Sequence, residues 1–217
     1  TSVIGVIIPE IVHHFFSTVI DGIEQYANEK GYNVMVCLSN ESFDKEVTNF
    51  SVLTNGSVDG LIVSIARETQ EKQDYKHFDA LIQDDFPLVL FDRINDDIKC
   101  DKVIIDDVGG AYKATNHLLD IESKRIALLT TEDFITVGSL RKEGYLKALK
   151  ARNVKIDHDL IYKIDDDKDL YEQIKKVIFV TNPPDAILAV NEIYAAHALK
   201  IATERGLTIP DDIAIIG

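Results

Sequence analysis

Asp92, Arg93, Arg141 and Asn191 are the residues of this chain whose types and placement best suit the holding of a ligand. Asp92 and Arg93 follow the apolar run Leu88 to Phe91, Ser64 ends Leu61 to Val63, and Asn191 ends Ala186 to Val190. If those runs are strands, all four polar residues stand at carboxyl ends. Arg141 falls in the first turn of the helix expected after the strand Arg125 to Leu129, and so faces the same side. A guanidinium donates several hydrogen bonds, a carboxylate accepts them and an amide does both, a combination that fits a hydroxyl-rich molecule. Phe15 and Phe16 would add an aromatic wall. Each residue also has a plainer reading: a turn cap for Asp92, a surface pair with Glu143 or Glu132 for Arg141, and a helix N-cap for Asn191. Caps have no reason to converge on one crevice, and that convergence favours the binding reading.

Other chemistries find little support. The chain has no G-x-G-x-x-G, no G-x-x-x-x-G-K-[ST], no H-E-x-x-H and no G-x-S-x-G elbow, so nucleotide, zinc-protease and serine-hydrolase mechanisms lack their main residues. No catalytic residue and no cofactor is called for. His13 and His14 are adjacent, and on an extended segment neighbours point to opposite faces, so a metal would meet only one of them. Asp84-Asp85, Asp96-Asp97, Asp106-Asp107, Asp165-Asp166-Asp167 and Asp211-Asp212 lack the alternating ligands and central glycine of a calcium loop and read as solvated turns. The N-x-S triplets at Asn40, Asn49 and Asn55 are what composition gives by chance.

The elements that must position these residues follow from hydrophobic periodicity. Short apolar runs alternate with segments of helical period, the pattern of parallel α/β sheets with crossover helices. Val3 to Ile8 reads as a strand, and Phe15, Phe16, Val19, Ile20, Ile23, Tyr26 and Ala27 recur at helical spacing until Gly31. The rhythm continues through strands at Asn33 to Leu38, Asp59 to Val63, Pro87 to Phe91 and Lys102 to Ile105. It restarts after Asp106-Asp107 with strands at Arg125 to Leu129, near Leu160, at Ala186 to Val190 and at Ile213 to Ile216. Nine strands and seven helices result. They are easier to build as two similar lobes, residues 1–106 and 107–217, than as one sheet, because each parallel sheet needs helices on both faces. The 217 residues suffice for either one large domain or two small ones and should bury about 70% of the surface of the unfolded chain.

Charge and cysteine usage narrow the setting. With 23 basic against 37 acidic side chains the formal net charge is −14, and a chain so acidic should not bind DNA by itself. Cys37 and Cys100 form no C-x-x-C pair and suggest neither a metal knuckle nor a disulfide framework, which favours a reducing cytoplasm. No apolar run approaches the ~18 residues of a membrane span.

The order of motifs resembles the regulatory core of the LacI/GalR family of bacterial transcription regulators, which shares its fold with periplasmic sugar-binding proteins. The resemblance runs from Val3 to Gly217. It rests on Pro9 to Phe16, Asp21-Gly22-Ile23, Gly31-Tyr32-Asn33-Val34, Val58 to Ile62, Phe91-Asp92-Arg93, Ile105-Asp106-Asp107, Arg125-Ile126-Ala127, Arg141 before Gly144-Tyr145, Ala189 to Glu192 and Ile209 to Ile213. It implies a two-lobed core that closes on a sugar or a purine-like effector and forms a homodimer, with no membrane partner. By position it marks Asp92, Arg141 and Asn191 as polar ligand contacts, with Phe16 and His13 near the mouth. It also implies that operator DNA is read by an N-terminal headpiece outside this sequence, and that a segment after Gly217 brings a further acidic contact. His13-His14 stands where Asn-Pro is usual. Ile121-Glu122 stands where a Leu-Gly helix end is usual, which should weaken that cap. An exported solute receptor for a transporter is the alternative within the same fold, and an α/β enzyme with Asp92 as base is the alternative outside it.

Overall fold

The β-branched run Val3–Ile8 forms strand β1, and the amphipathic segment His14–Glu29 forms helix α1, ending before Gly31 at φ +79°. Only a residue tolerant of the left-handed region closes a helix this way at low cost. The computed structural model describes residues 2–11 and 14–217, so the reading placed on His13 lies outside the described residues. The chain divides into two compact units, residues 1–105 and 106–217.

In the first unit β1 and α1 are followed by β2 (Asn33–Leu38), α2 (Phe43–Thr54), β3 (Gly60–Val63), α3 (Arg67–Lys72), α4 (Lys76–Gln83), β4 (Leu88–Phe91) and β5 (Asp101–Val103). All pair parallel in the order β2-β1-β3-β4-β5. The two-residue period of the strands divides the core. Ile7, Leu61, Val63, Leu88 and Leu90 face Phe50, Leu53, Phe78 and Leu81 of α2 and α4. Val6, Ile8 and Phe91 face Phe16, Val19, Ile20 and Ile23 of α1. Both faces of the sheet are therefore covered, as parallel strands require.

Helix α3 has no counterpart among the seven helices expected. Its six residues, Arg-Glu-Thr-Gln-Glu-Lys, carry no apolar period to announce it. Its start is fixed instead by side chains distant in sequence. Glu46, fully buried on α2, accepts from the Ala66 N–H at 2.6 Å, the Thr69 hydroxyl at 2.8 Å and His77 Nε2 at 2.8 Å. The His77 ring lies edge-on to Phe43 and Phe50. Strand β5 ends at Val103 rather than at Ile105, and Val103, Ile104 and Ile105 are all exposed.

The second unit runs α5 (Asp107–Asp120), β6 (Ile126–Thr130), α6 (Thr136–Ala151), a 3-10 turn at His158–Leu160, β7 (Ile161–Lys163), α7 (Leu170–Ile178), β8 (Ala186–Ala189), α8 (Glu192–Glu204) and β9 (Ala214–Ile216). The parallel order β7-β6-β8-β9 repeats the opening pattern of the first sheet. Every residue of β6 and β8 is buried. One continuous core gathers Leu118 of α5, Tyr145 and Leu149 of α6, Ile174 and Val177 of α7, and Tyr194, Ala198 and Ile201 of α8 around them. The Ile121-Glu122 helix end closes despite its sequence. Glu122 takes φ +66° and donates to Leu119 O at 3.1 Å, while Ser123 donates to Leu118 O.

Helices α5 and α6 approach closely at Gly144. A Cβ there would lie 2.2 Å from Val108 O and 2.9 Å from Ala111 Cβ, so the hydrogen of glycine is what lets the helices meet. Gly144→Ala should therefore destabilise the protein by about 2–3 kcal/mol, read as a lower urea midpoint at unchanged slope. Tyr145, 1% exposed, donates to Ile126 O at 2.9 Å, and burial, helped by the charge of Asp157, pushes its phenol up to about 12. The unfolded phenol ionises near pH 10, the folded one two units higher, so its contribution is complete below pH 10 and is lost as pH rises towards 12. Urea melts across that window should show a loss of order 2–3 kcal/mol that is absent in Tyr145→Phe.

Candidate functional site

In both sheets the strand order reverses direction beside the first strand, between β1 and β3 and between β6 and β8. In open α/β sheets ligands collect outside the carboxyl ends at such points. The first unit places Ser64, Asp92 and Arg93 at these ends, together with Phe15 and Phe16 at the start of α1. Asp92 leaves β4 at φ +58°, a conformation Asp tolerates better than most residues, and its N–H donates to Val103 O at 3.2 Å. Ser64 is buried. Its N–H donates to Ile7 O, while its hydroxyl has no hydrogen-bond partner among the described residues.

Arg93 is held from the side. Its Nη1 donates to both carboxylate oxygens of Glu41 at 2.8 Å, and the two side chains are 15% and 19% exposed. Glu41 also accepts from the Arg67 N–H at 2.7 Å, and Arg93 O accepts from the Ile65 N–H. One carboxylate thus ties together the loops after β2, β3 and β4, with Asn40 and Glu41 both at positive φ to present it. Phe16 is a core residue more than a wall. It is 3% exposed, with its ring 6.2 Å from that of Phe91 at 80°, and only Phe15, 41% exposed, reaches the surface.

The second unit places Arg141 and Asn191 at the same end of its own sheet. Helix α6 begins at Thr136, so Arg141 stands in its second turn, not its first. Its partner is neither Glu143 nor Glu132. Nε donates to Asp107 Oδ1 at 2.7 Å, and Nη1 donates to Val190 O. Asp107, with its side chain 6% exposed, sits in the first turn of α5, where the free amides of a helix start favour negative charge. Burial and this pairing correct the reading of Asp106-Asp107 as a solvated turn: Asp106 caps α5 at Gly109 N, and Asp107 braces Arg141. With Nε and one Nη1 hydrogen engaged, the guanidinium keeps its remaining donors for another acceptor.

Asn191 turns out to be a cap as well. Its Oδ1 accepts from the Tyr194 N–H at 2.8 Å, starting α8 and leaving the Nδ2 amide to donate elsewhere. The two readings of this residue are compatible. Asp166, grouped with solvated acids, accepts from the buried Tyr194 hydroxyl at 2.7 Å. Around the same end Lys142 and Lys163 bond Asp133 at 2.9 and 2.6 Å, and Lys168 bonds Asp165 at 2.8 Å. The hydrogen bonds from Lys142 and Lys163 hold the Asp133 carboxyl below its ordinary range, and the bond to Asp133 raises Lys163.

Sequence reasoning missed Glu41 and Asp107, the partners that orient the two arginines. Asp107 lay within a quoted motif, but nothing local pairs it with a residue 34 positions away. Among the described residues no group of three or more His, Cys, Asp or Glu side chains is arranged to hold a metal. A cleft of about 570 Å³, lined by Phe86, Pro87, Cys100 and Lys102 among others, opens at the opposite, amino-terminal ends of β4 and β5, and none of the expected ligand residues lines it. Those polar side chains stand instead at the carboxyl ends of the strands.

The family model described as periplasmic binding proteins and sugar-binding domain of LacI family matches residues 1–216. The chain belongs to that family. The transcriptional regulator DegA of Bacillus subtilis (strain 168) is 29% identical over 217 residues, and the transcriptional repressor PurR of Pasteurella multocida (strain Pm70) is 29% identical over 219. Each alignment covers all of this chain and 64% of the relative, so the chain spans less than two thirds of their length. A periplasmic binding protein/LacI transcriptional regulator from Alkaliphilus metalliredigens QYMF, solved in complex with D-xylulofuranose, is 26% identical with a TM-score of 0.82, covering all of this chain and 77% of that one. The family resemblance read from the motifs and the α/β fold with two helix-flanked parallel sheets are both borne out. DegA and PurR are both named as transcriptional regulators. No described helix is long and apolar enough to cross a membrane.

The unpartnered hydroxyl of Ser64 yields a stability prediction. Removing a buried hydroxyl that makes no hydrogen bond relieves a desolvation penalty, so Ser64→Ala should leave stability unchanged or raise it by about 1 kcal/mol in urea denaturation. A loss of stability would show that the hydroxyl is engaged.

Proposed function

We propose that this chain is the effector-sensing core of a LacI-type transcription regulator. Its effector is a small, hydroxyl-rich molecule, a sugar or a purine-like compound, and Asp92, Arg141 and Asn191 are its polar contacts. Ser64, Arg93, Phe15, Phe16 and His13 are further candidates for the same ligand in this proposal, with Phe16 a core residue of the first unit and Arg93 held by its Glu41 pair. The observation that carries the reading is the bracing of Arg141. A buried carboxylate and a backbone carbonyl fix its guanidinium at the carboxyl end of a parallel sheet, beside an asparagine whose own acceptor is already used. A cation so fixed is preorganised for a ligand acceptor, and little ordering is left to oppose binding. Family membership, the naming of the relatives as regulators and the sugar in the Alkaliphilus structure support the same reading.

The mechanism involves no covalent step. Effector binds one conformation of the core better than another and shifts the population towards it. In this proposal the regulator works in the cytoplasm as a homodimer, and operator DNA is met by a headpiece outside this sequence, since a core of net charge −14 repels phosphate. Isothermal titration calorimetry with a panel of pentoses, hexoses and purine bases tests the reading. Arg141→Ala should weaken whichever compound binds by at least about tenfold, the loss of a charge-assisted hydrogen bond, with Arg141→Lys intermediate. Full affinity in Arg141→Ala would overturn it.

A further inference from the structure

We propose that the cleft of about 570 Å³ at the amino-terminal ends of β4 and β5 is a second binding site, and that its ligand is an aliphatic polyamine. The site lies wholly within the first unit. It is separate from the strand ends assigned to the effector, since Asp92 and Arg93 follow β4 and the cleft lies where that strand begins.

Two segments of chain form its walls. One is the turn from α4 into β4, which carries Asp85, Phe86 and Pro87. The other is the loop leading into β5, which carries Asp96 and Asp101. This loop is fixed from within. Ile98, 4% exposed, packs in the apolar cluster of α2 and α4, and its carbonyl accepts from the Cys100 N–H at 3.1 Å and from Lys102 Nζ at 2.7 Å. The cleft is therefore preformed, and little chain ordering is left to oppose a ligand.

The lining selects the class of ligand. The carboxylates of Asp85, Asp96 and Asp101 form no hydrogen bond or ion pair with another described residue, so three negative charges line the cleft without a resident counter-charge. Two lysines line it as well, but Lys102 is turned to the Ile98 carbonyl and Lys99 is exposed. Phe86 and Pro87 give the same cleft an apolar surface. An aliphatic chain with an ammonium group at each end satisfies both features. Its methylenes cover Phe86 and Pro87, one ammonium meets Asp85, and another meets Asp96 and Asp101 on the other wall. A monoamine serves one wall only. A bare divalent metal ion forgoes the apolar contact and meets no group of three or more ligating side chains among the described residues. An anion is repelled by the three acids and by the net charge of −14.

Cys100 lines the cleft and can report its occupancy. In a Cys37→Ser background, checked for folding by circular dichroism, it is the one remaining thiol. Its alkylation by iodoacetamide is followed by mass spectrometry. Burial pushes the Cys100 thiol up, so the reaction is run at mildly alkaline pH, where alkylammonium groups with pKa values of about 10.4 keep their charge. Spermidine should slow the alkylation at least about fivefold at saturation, with half its effect reached below about 1 mM, and calorimetry should show one site per chain. Butylamine and magnesium ion over the same range should protect less than about twofold. Asp85→Asn and Asp96→Asn should each raise the half-effect concentration about two- to fivefold, the loss of one exposed ion pair. Lys99→Gln, which removes a like charge from the mouth, should lower it, a gain that no unfolded variant produces. Alkylation indifferent to spermidine, equal protection by butylamine or magnesium, or folded Asp85→Asn and Asp96→Asn variants that bind as the parent does would overturn the proposal.

Discussion

A parallel sheet covered on both faces has nowhere to keep polar side chains except its edges and ends. In β6 and β8 every residue is buried, and in the first sheet alternate residues serve two separate apolar clusters. Hydrogen-bonding chemistry is therefore pushed to the strand termini and to the first turns of the helices that follow. Strand orders β2-β1-β3-β4-β5 and β7-β6-β8-β9 each send successive connections away from a common point, which leaves room at the carboxyl ends. The placement of Ser64, Asp92, Arg93, Arg141 and Asn191 follows from that constraint before any ligand is considered.

What turns those strand ends into defined groups is a small set of buried or half-buried acids. Glu46 organises the path after β3 by binding Ala66 N, Thr69 and His77. Glu41 ties three loops through Arg67 N and Arg93. Asp107 fixes Arg141 against Val190 O. Each is a carboxylate whose lone pairs are met by donors from segments far apart in the chain, the condition under which a buried charge is tolerated. The acidic composition thus has two components. Most of the acids solvate the surface, while these few serve as internal anchors and leave the neighbouring cations electrically balanced.

The alternation of strands and helices was legible because burial repeats along the chain with a period that a sequence displays directly. Helix α3 was not, because its six polar residues owe their conformation to Glu46 on another helix. Asn191 was legible twice over, as helix cap and as strand-end amide, and the structure has it capping with one end of its side chain while the other stays available. Phe16 illustrates the reverse. Its type and position suggested a wall, yet contact with Phe91 and the alternate face of β1 draws it into the core. The Ile121-Glu122 helix end shows that a residue poorly suited to left-handed geometry still adopts it where the turn it makes satisfies the last carbonyls of the helix, Leu118 O and Leu119 O.

Taken alone, the amino-acid sequence determined the fold class, the order of elements and which polar residues fall at strand ends, since these depend on neighbours in the chain and on the periodicity of burial. Only the tertiary structure decided which acid meets which base. Pairings such as Glu41 with Arg93 and Asp107 with Arg141 join positions dozens of residues apart, and no local pattern encodes them. They arise because the packing of helices on sheets fixes where each side chain ends, and a desolvated charge then takes the nearest opposite partner it can reach.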